Sequence, residues 1–112
     1  MGVRAEALLW LAQRASAAVL AACVAVHLAT MIYAVQGGLS AAEILGRTRG
    51  SLAWLAFYGL FVVAVAVHAP IGLRAVIRET LGWHGRALDL ALCVGALTLA
   101  WLGWRAIYGL FR

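Results

Sequence analysis

Three apolar runs, each about 20 residues long, constrain what this chain can fold into more than any other feature. A helix of roughly that length crosses the ~30 Å of hydrocarbon in a bilayer. Of the 112 residues, 66% are hydrophobic and only 12% are charged, which is more apolar material than a small soluble core could bury. The runs therefore predict an all-α membrane protein with three transmembrane helices.

Turn residues and charges divide the chain into six segments. We expect an interfacial segment at 1–14, transmembrane helices at 15–35, 51–73 and 88–112 (the last including the C-terminus), a loop with a short interfacial helix at 36–50, and a basic connection at 74–87. Ser40 and Glu43 have the spacing of a capping box, which predicts the short helix. Pro70 removes a backbone donor near the end of the second span, so we expect a bend there.

The basic residues indicate orientation and location. The N-terminal side together with the second loop carries five arginines and the other side four, which favours a cytoplasmic N-terminus. All nine basic residues are arginine and the chain is rich in alanine, so we expect a bacterial inner membrane protein. The arginines form no run, and nucleic acid is therefore not an expected partner.

Two of the three histidines, His27 and His68, lie inside predicted spans. An ionisable group is costly there and marks a candidate functional site. Neutral imidazole is the usual nitrogen ligand of haem iron. Ala64 and Gly72 flank His68 on one helix face, and their small size would let a flat macrocycle lie against the backbone. A hydrogen bond to a neighbouring helix is the alternative role for each imidazole.

The two imidazoles lie at different depths in the predicted bundle. In antiparallel spans that rise 1.5 Å per residue, they are separated by about 12 Å along the membrane normal. One iron cannot bind both His27 and His68 across that distance. If both are ligands, they hold two haems, and each iron takes its second ligand from another chain. The predicted fold is therefore half of a larger haem-binding helix bundle.

Polar groups follow the second span. Arg74 and Arg78 lie one to two turns beyond its histidine, where they suit haem propionates or simply anchor the helix at the membrane surface. Glu79 suits an ion pair or proton handling. His84, beside Trp83, is either an ordinary interfacial residue or a group with a proton or quinone role.

Residues 68–74 read His-Ala-Pro-Ile-Gly-Leu-Arg and are followed by Glu79. This segment resembles the His-x-x-x-Gly-x-Arg pattern, followed by an acidic residue, in the second helix of succinate dehydrogenase and fumarate reductase cytochrome b membrane anchors. The three spans and an Arg-x-Ser element at 14–16 extend the resemblance over most of the chain. The resemblance implies that His68 ligates a haem b near the cytoplasmic side. It also implies that His27, 41 residues earlier, ligates a second haem, as in two-haem members.

The resemblance further implies a set of partners. Electrons from succinate would pass through a flavoprotein subunit and an iron-sulfur subunit to quinone, or in the reverse direction for fumarate. The chain would pair with a copy of itself or with a second anchor subunit, and we expect no catalysis from this chain alone. In the family, residues matching Arg14, Ser16 and Glu79 lie near the quinone; since Thr80 stands where some members have Tyr, Trp83 or His84 would take that role.

Two other functions fit the same residues. The chain could be a quinone-binding anchor without haem, in which His68 donates a hydrogen bond. Alternatively, it could be a small three-helix adaptor or assembly subunit of another membrane complex, because the small residues Gly95, Gly103 and Gly109 would let its helices pack closely against a larger partner.

Overall fold

The computed structural model describes residues 2–38 and 40–112 and confirms the all-α prediction. Within those residues the helices are α1 (Val3–Gln36), α2 (Ala41–Thr48), α3 (Leu52–Leu81) and α4 (Arg86–Phe111), and there is no strand. The long helices α1, α3 and α4 are each long and apolar enough to cross a membrane. Met1 and Leu39, which belong to the predicted N-terminal segment and loop, lie outside the described residues.

The helix ends are set by local sequence. Ser40 caps α2 by accepting a hydrogen bond from the Glu43 amide at 3.2 Å, so the short helix predicted after Ser40 is present. Ser51 caps α3 in the same way, accepting from the Trp54 amide at 3.3 Å. At the other end of α3, Gly82 adopts the left-handed conformation with φ 65°, which favours glycine because it has no Cβ.

The first and third elements are longer than the spans predicted for them. Helix α1 has 34 residues and is therefore about 50 Å long, compared with about 30 Å of hydrocarbon. It runs without a break through residues 14 and 15, and the interfacial placement of 1–14 stays a prediction. Helix α3 continues through Pro70 to Leu81, so the basic connection begins as helix.

Helix α3 is the centre of the bundle, because both α1 and α4 pack against it. Helix α4 approaches α3 closely at Gly103, where an added Cβ would lie 2.5 Å from Val62 Cγ1. Few side chains are buried within the chain, among them Cys23, Ala64, Leu88 and Ile107. Most of each apolar helix surface is thus left to face lipid or other subunits.

The short helix α2 is fastened to the end of α4. Thr48 Oγ1 donates to the Leu110 carbonyl at 2.9 Å, and the Gly50 amide donates to the Phe111 carbonyl at 2.8 Å. Two of the carbonyls that would otherwise be unpaired at the C-terminus of α4 therefore have donors. This end of the bundle lies opposite the end that contains the α3–α4 connection.

Candidate functional site

His68 on α3 contacts a buried serine on α1. Ser16 Oγ lies 3.4 Å from His68 Nδ1 and donates its own proton to the Gln13 carbonyl at 3.1 Å. Since the hydroxyl proton is used in that second bond, the serine oxygen accepts from Nδ1–H. The tautomer assigned in this way leaves the lone pair on Nε2, for which the described residues provide no hydrogen-bond partner.

The small residues around His68 lie in packed surroundings. An added Cβ on Gly72 would lie 3.1 Å from Gln13 Nε2, and Ala64 is only 5% exposed. The glycine lets α1 approach α3 closely here, and the expectation that a macrocycle lies against this face stays a prediction.

Gln13 is a site residue that the sequence analysis missed. Its Oε1 is buried and has no hydrogen-bond partner among the described residues, although buried acceptors are normally paired. The signal available in the sequence is a lone amide one turn before Ser16 at the start of an apolar run. Gln13 thus brings a buried, unpaired acceptor to the side of α1 that approaches α3 at Gly72, one turn beyond His68.

His27 lies in a different environment, at another level of the bundle. Its ring packs edge-on against Tyr58 and Phe61, with centroid distances of 6.0 and 5.7 Å. It lines an open apolar groove of about 470 Å³ that also contains Leu102 and Gly103 of α4. The imidazole is half-buried, and its nitrogens have no hydrogen-bond partner among the described residues.

The helix contacts give the separation of the two imidazoles. His68 lies level with Ser16, and His27 is 11 residues further along α1. That spacing corresponds to about 16 Å at 1.5 Å per residue. Two axial ligands of one iron are only a few ångström apart, so no single iron can bind His27 and His68 of the same chain.

Charged groups join the three long helices beyond His68. Arg74 Nε lies 3.1 Å from Asp89 Oδ1 of α4, and its Nη2 lies 3.3 Å from Glu6 Oε1 of α1. Arg78 Nη1 lies 3.3 Å from the same Glu6 oxygen. Both arginines predicted to bind propionates therefore already contact carboxylates that are distant in sequence.

The residues predicted to lie near quinone do not all come together. Ser16 is beside His68, whereas Arg14 is exposed, with its Cζ 5.2 Å above the ring of Trp10. At the end of α3, Glu79 and Trp83 are exposed, and so is His84, whose Nδ1 lies 2.7 Å from the Gly82 carbonyl. Of the predicted set, the structure joins only Ser16 to the histidine.

An apolar groove of about 350 Å³ lies between α3 and α4, with Leu9 of α1 in its wall, near the end of the bundle that carries the ion pairs. Pro70, Ile71 and Leu92 form part of its wall, and the ion pair between Arg74 and Asp89 stands at its edge. A cavity with apolar walls and a few polar groups is suited to a small amphipathic ligand. The sequence pattern did not reveal this groove, because its walls come from three helices, with Leu9 of α1 completing them.

Replacing Arg74 tests whether its ion pairs with Glu6 and Asp89 hold α1, α3 and α4 together. Arg74→Gln should lower the melting temperature of the detergent-purified protein, followed by circular dichroism, more than Arg78→Gln does. The reason is that Arg74 contacts carboxylates of two helices, whereas Arg78 contacts one. Arg86→Gln is the matched control, since Arg86 is exposed and has no ion pair among the described residues. Equal melting temperatures for Arg74→Gln and Arg86→Gln would show that the ion pairs of Arg74 do not stabilise the bundle.

Comparison with known proteins identifies one related family. A family model described as succinate dehydrogenase/fumarate reductase transmembrane subunit matches residues 1–104. No curated protein and no solved structure matches the chain. The matched region contains all three long helices apart from the last residues of α4.

Proposed function

The chain belongs to the succinate dehydrogenase/fumarate reductase transmembrane subunit family, and we propose that it is the haem-ligating cytochrome b anchor of a succinate:quinone oxidoreductase. Its three apolar helices fix the complex in the membrane. The flavin and the iron-sulfur clusters belong to separate flavoprotein and iron-sulfur subunits, which this chain would dock. Its own part in the reaction is to hold haem b and to form part of the quinone pocket.

One observation carries the proposal for His68: its Nδ1 is held by Ser16, whereas its Nε2 has no partner in the described residues. Histidines that bind metals usually donate their other ring N–H to an acceptor, which fixes the tautomer and makes the ligand nitrogen more basic. Ser16 would do this for His68, and the Gln13 carbonyl orients Ser16 in turn. The donor set thus fits an iron bound through Nε2 of His68. A haem b bound there would supply a one-electron carrier inside the membrane.

The second ligand of each haem would come from another chain. His27 and His68 are too far apart to share an iron within one chain, and His27 lies in an apolar groove at its own level. A second copy or a second anchor subunit placed against the exposed helix faces would supply the missing imidazoles and enclose each macrocycle. The unpaired Gln13 Oε1 would also find its donor in that assembly.

The ion-pair end of the bundle would receive the propionates. Each guanidinium has five N–H donors, so Arg74 and Arg78 can keep their contacts with Glu6 and Asp89 and still donate to a further carboxylate. Neutralisation of that carboxylate at a membrane surface is favourable because arginine binds it in a fork geometry. Under the proposed orientation this end faces the bacterial cytoplasm, where the iron-sulfur subunit docks.

Quinone reduction consumes two electrons and two protons, and the chain offers exposed groups for the protons. His84 donates Nδ1–H to the Gly82 carbonyl, which leaves Nε2 able to carry a proton. Glu79 is exposed on the last turns of α3 and can do the same. With Arg14, Ser16 and Trp83, these residues form the quinone-facing set that we propose.

The experiment is a dithionite-reduced minus oxidised spectrum of the purified complex, with pyridine haemochrome quantitation for each copy of this chain. We expect about one haem b per chain, since each chain would supply two imidazoles and each haem would be held by two. The iron-sulfur subunit should co-purify. If the complex contains the iron-sulfur subunit but no haem, the chain is a haem-free quinone anchor. If the chain purifies with neither haem nor the iron-sulfur subunit, it is an adaptor.

A further inference from the structure

Arginines and aromatic rings surround an open pocket at the C-terminal end of α4. The pocket has a volume of about 770 Å³. Its side chains include three guanidinium groups and three large rings, namely Arg49, Arg105, Arg112, Trp101, Trp104 and Tyr108. The α4 members are spaced at three, four, seven and eleven residues from Trp101, which places them along one helix face.

The positive charge of this pocket is not neutralised within the described residues. The three ion pairs found among the described residues all involve Arg74 or Arg78, which lie at the opposite end of the bundle. Arg112 lies with its Cζ 5.6 Å from the centre of the Tyr108 ring, and Arg49 and Arg105 are exposed. An anion is therefore the expected complement of this surface.

The C-terminal end of a helix normally repels anions, because its last carbonyls carry partial negative charge. Here two of those carbonyls are occupied, since Leu110 accepts from Thr48 and Phe111 accepts from the Gly50 amide. Arg112 caps α4 through its backbone N–H, which donates to the Tyr108 carbonyl, so the guanidinium groups keep their donors for an external ligand. The same bonds hold the segment that carries Arg49 beside α4.

The aromatic residues place the pocket at the membrane surface. Trp101, Trp104 and Tyr108 are 61%, 52% and 49% exposed, and tryptophan and tyrosine concentrate at the level of lipid headgroups. Trp101 lies about 6 Å deeper than Arg105 along the helix. A ligand in this pocket thus meets charge on its outer side and apolar rings on its inner side.

We propose that this pocket binds the phosphate of an anionic phospholipid. Arg105, Arg112 and Arg49 would donate to the phosphate oxygens, for which the guanidinium fork is well matched. Trp101 and Trp104 would contact the glycerol and the first methylenes of the acyl chains. A free phosphate could use the arginines but would gain nothing from the rings, and this difference assigns the ligand to the membrane. The proposal is independent of haem binding.

The test is a lipid titration of the delipidated complex in detergent, with bound lipid counted by native mass spectrometry. We expect phosphatidylglycerol to bind and phosphatidylcholine, which has no net charge, to bind at least about tenfold more weakly. Inorganic phosphate at millimolar concentration should not displace the lipid. Arg105→Gln/Arg112→Gln should weaken phosphatidylglycerol binding at least about tenfold. The control Arg4→Gln/Arg86→Gln, which removes the same charge at the opposite end, should leave it unchanged.

A charge-conserving variant keeps the test decisive if the glutamine variant folds poorly. Arg105→Lys/Arg112→Lys should retain most of the binding, because lysine still neutralises phosphate, although as a point charge. Equal binding of the two lipids, or equal losses in the pocket variant and the control, would overturn the proposal. Displacement of phosphatidylglycerol by inorganic phosphate would overturn the lipid assignment and leave a site for soluble phosphate.

Discussion

His68→Ala should remove one b-type haem from the purified complex, and His27→Ala should remove a different one. Each imidazole lies at its own level, about 16 Å from the other, so neither can replace the other as ligand. The reduced minus oxidised spectrum should lose about half of its α-band in each variant, and the double variant should lose all of it. Pyridine haemochrome quantitation for each copy of this chain measures these losses.

Two further variants separate ligation from other roles of a polar side chain. His84→Ala should keep the full haem content, because that imidazole is bonded within its own loop to the Gly82 carbonyl. Ser16→Ala should also keep the haem, but the midpoint potential of the haem proposed at His68 should rise, since its imidazole would lose an acceptor that makes it more basic. Full haem content in His68→Ala would refute ligation by His68. If haem is lost only in His27→Ala, His27 is the single haem ligand of this chain.

Local patterns predicted the elements of this fold because each element depends on residues close together in the chain. The three spans follow from apolar runs, and α2 follows from Ser40, whose side chain caps an amide three residues later. The family followed from the spacing of His68, Gly72 and Arg74, and the family model confirms it. The roles of individual residues at the haem and the quinone stay predictions.

Contacts between helices could not be predicted in the same way. Glu6 and Arg74 are 68 residues apart, and no pattern in the sequence indicates that their side chains meet. The small residues around His68 illustrate the same limit: the sequence shows that Gly72 leaves room, but it does not show that Gln13 of α1 takes that room. Small size predicts close approach without specifying the partner.

Gly103→Ala should cause the largest loss of stability among single changes of one methyl group. The new Cβ would lie 2.5 Å from Val62 Cγ1 and 2.8 Å from Cγ2, and valine has little freedom to rotate away within a helix. Helices α3 and α4 would have to separate, at a cost of about 1–3 kcal/mol. Thermal unfolding of the complex in detergent, followed by circular dichroism, measures the loss.

The chain supplies a matched control and a means of rescue for this prediction. An added Cβ on Gly95 of the same helix meets nothing within 4 Å, so Gly95→Ala should leave stability unchanged or slightly increased, because alanine favours helix. Val62→Ala removes the atoms that would clash, and the double variant Val62→Ala/Gly103→Ala should recover much of the stability lost by Gly103→Ala. Gly103 and Val62 line the groove that contains His27. Separation of α3 and α4 should therefore weaken binding of the haem proposed at His27 more than binding of the haem proposed at His68. Similar melting temperatures for Gly103→Ala and Gly95→Ala would show that α3 and α4 do not meet at this glycine.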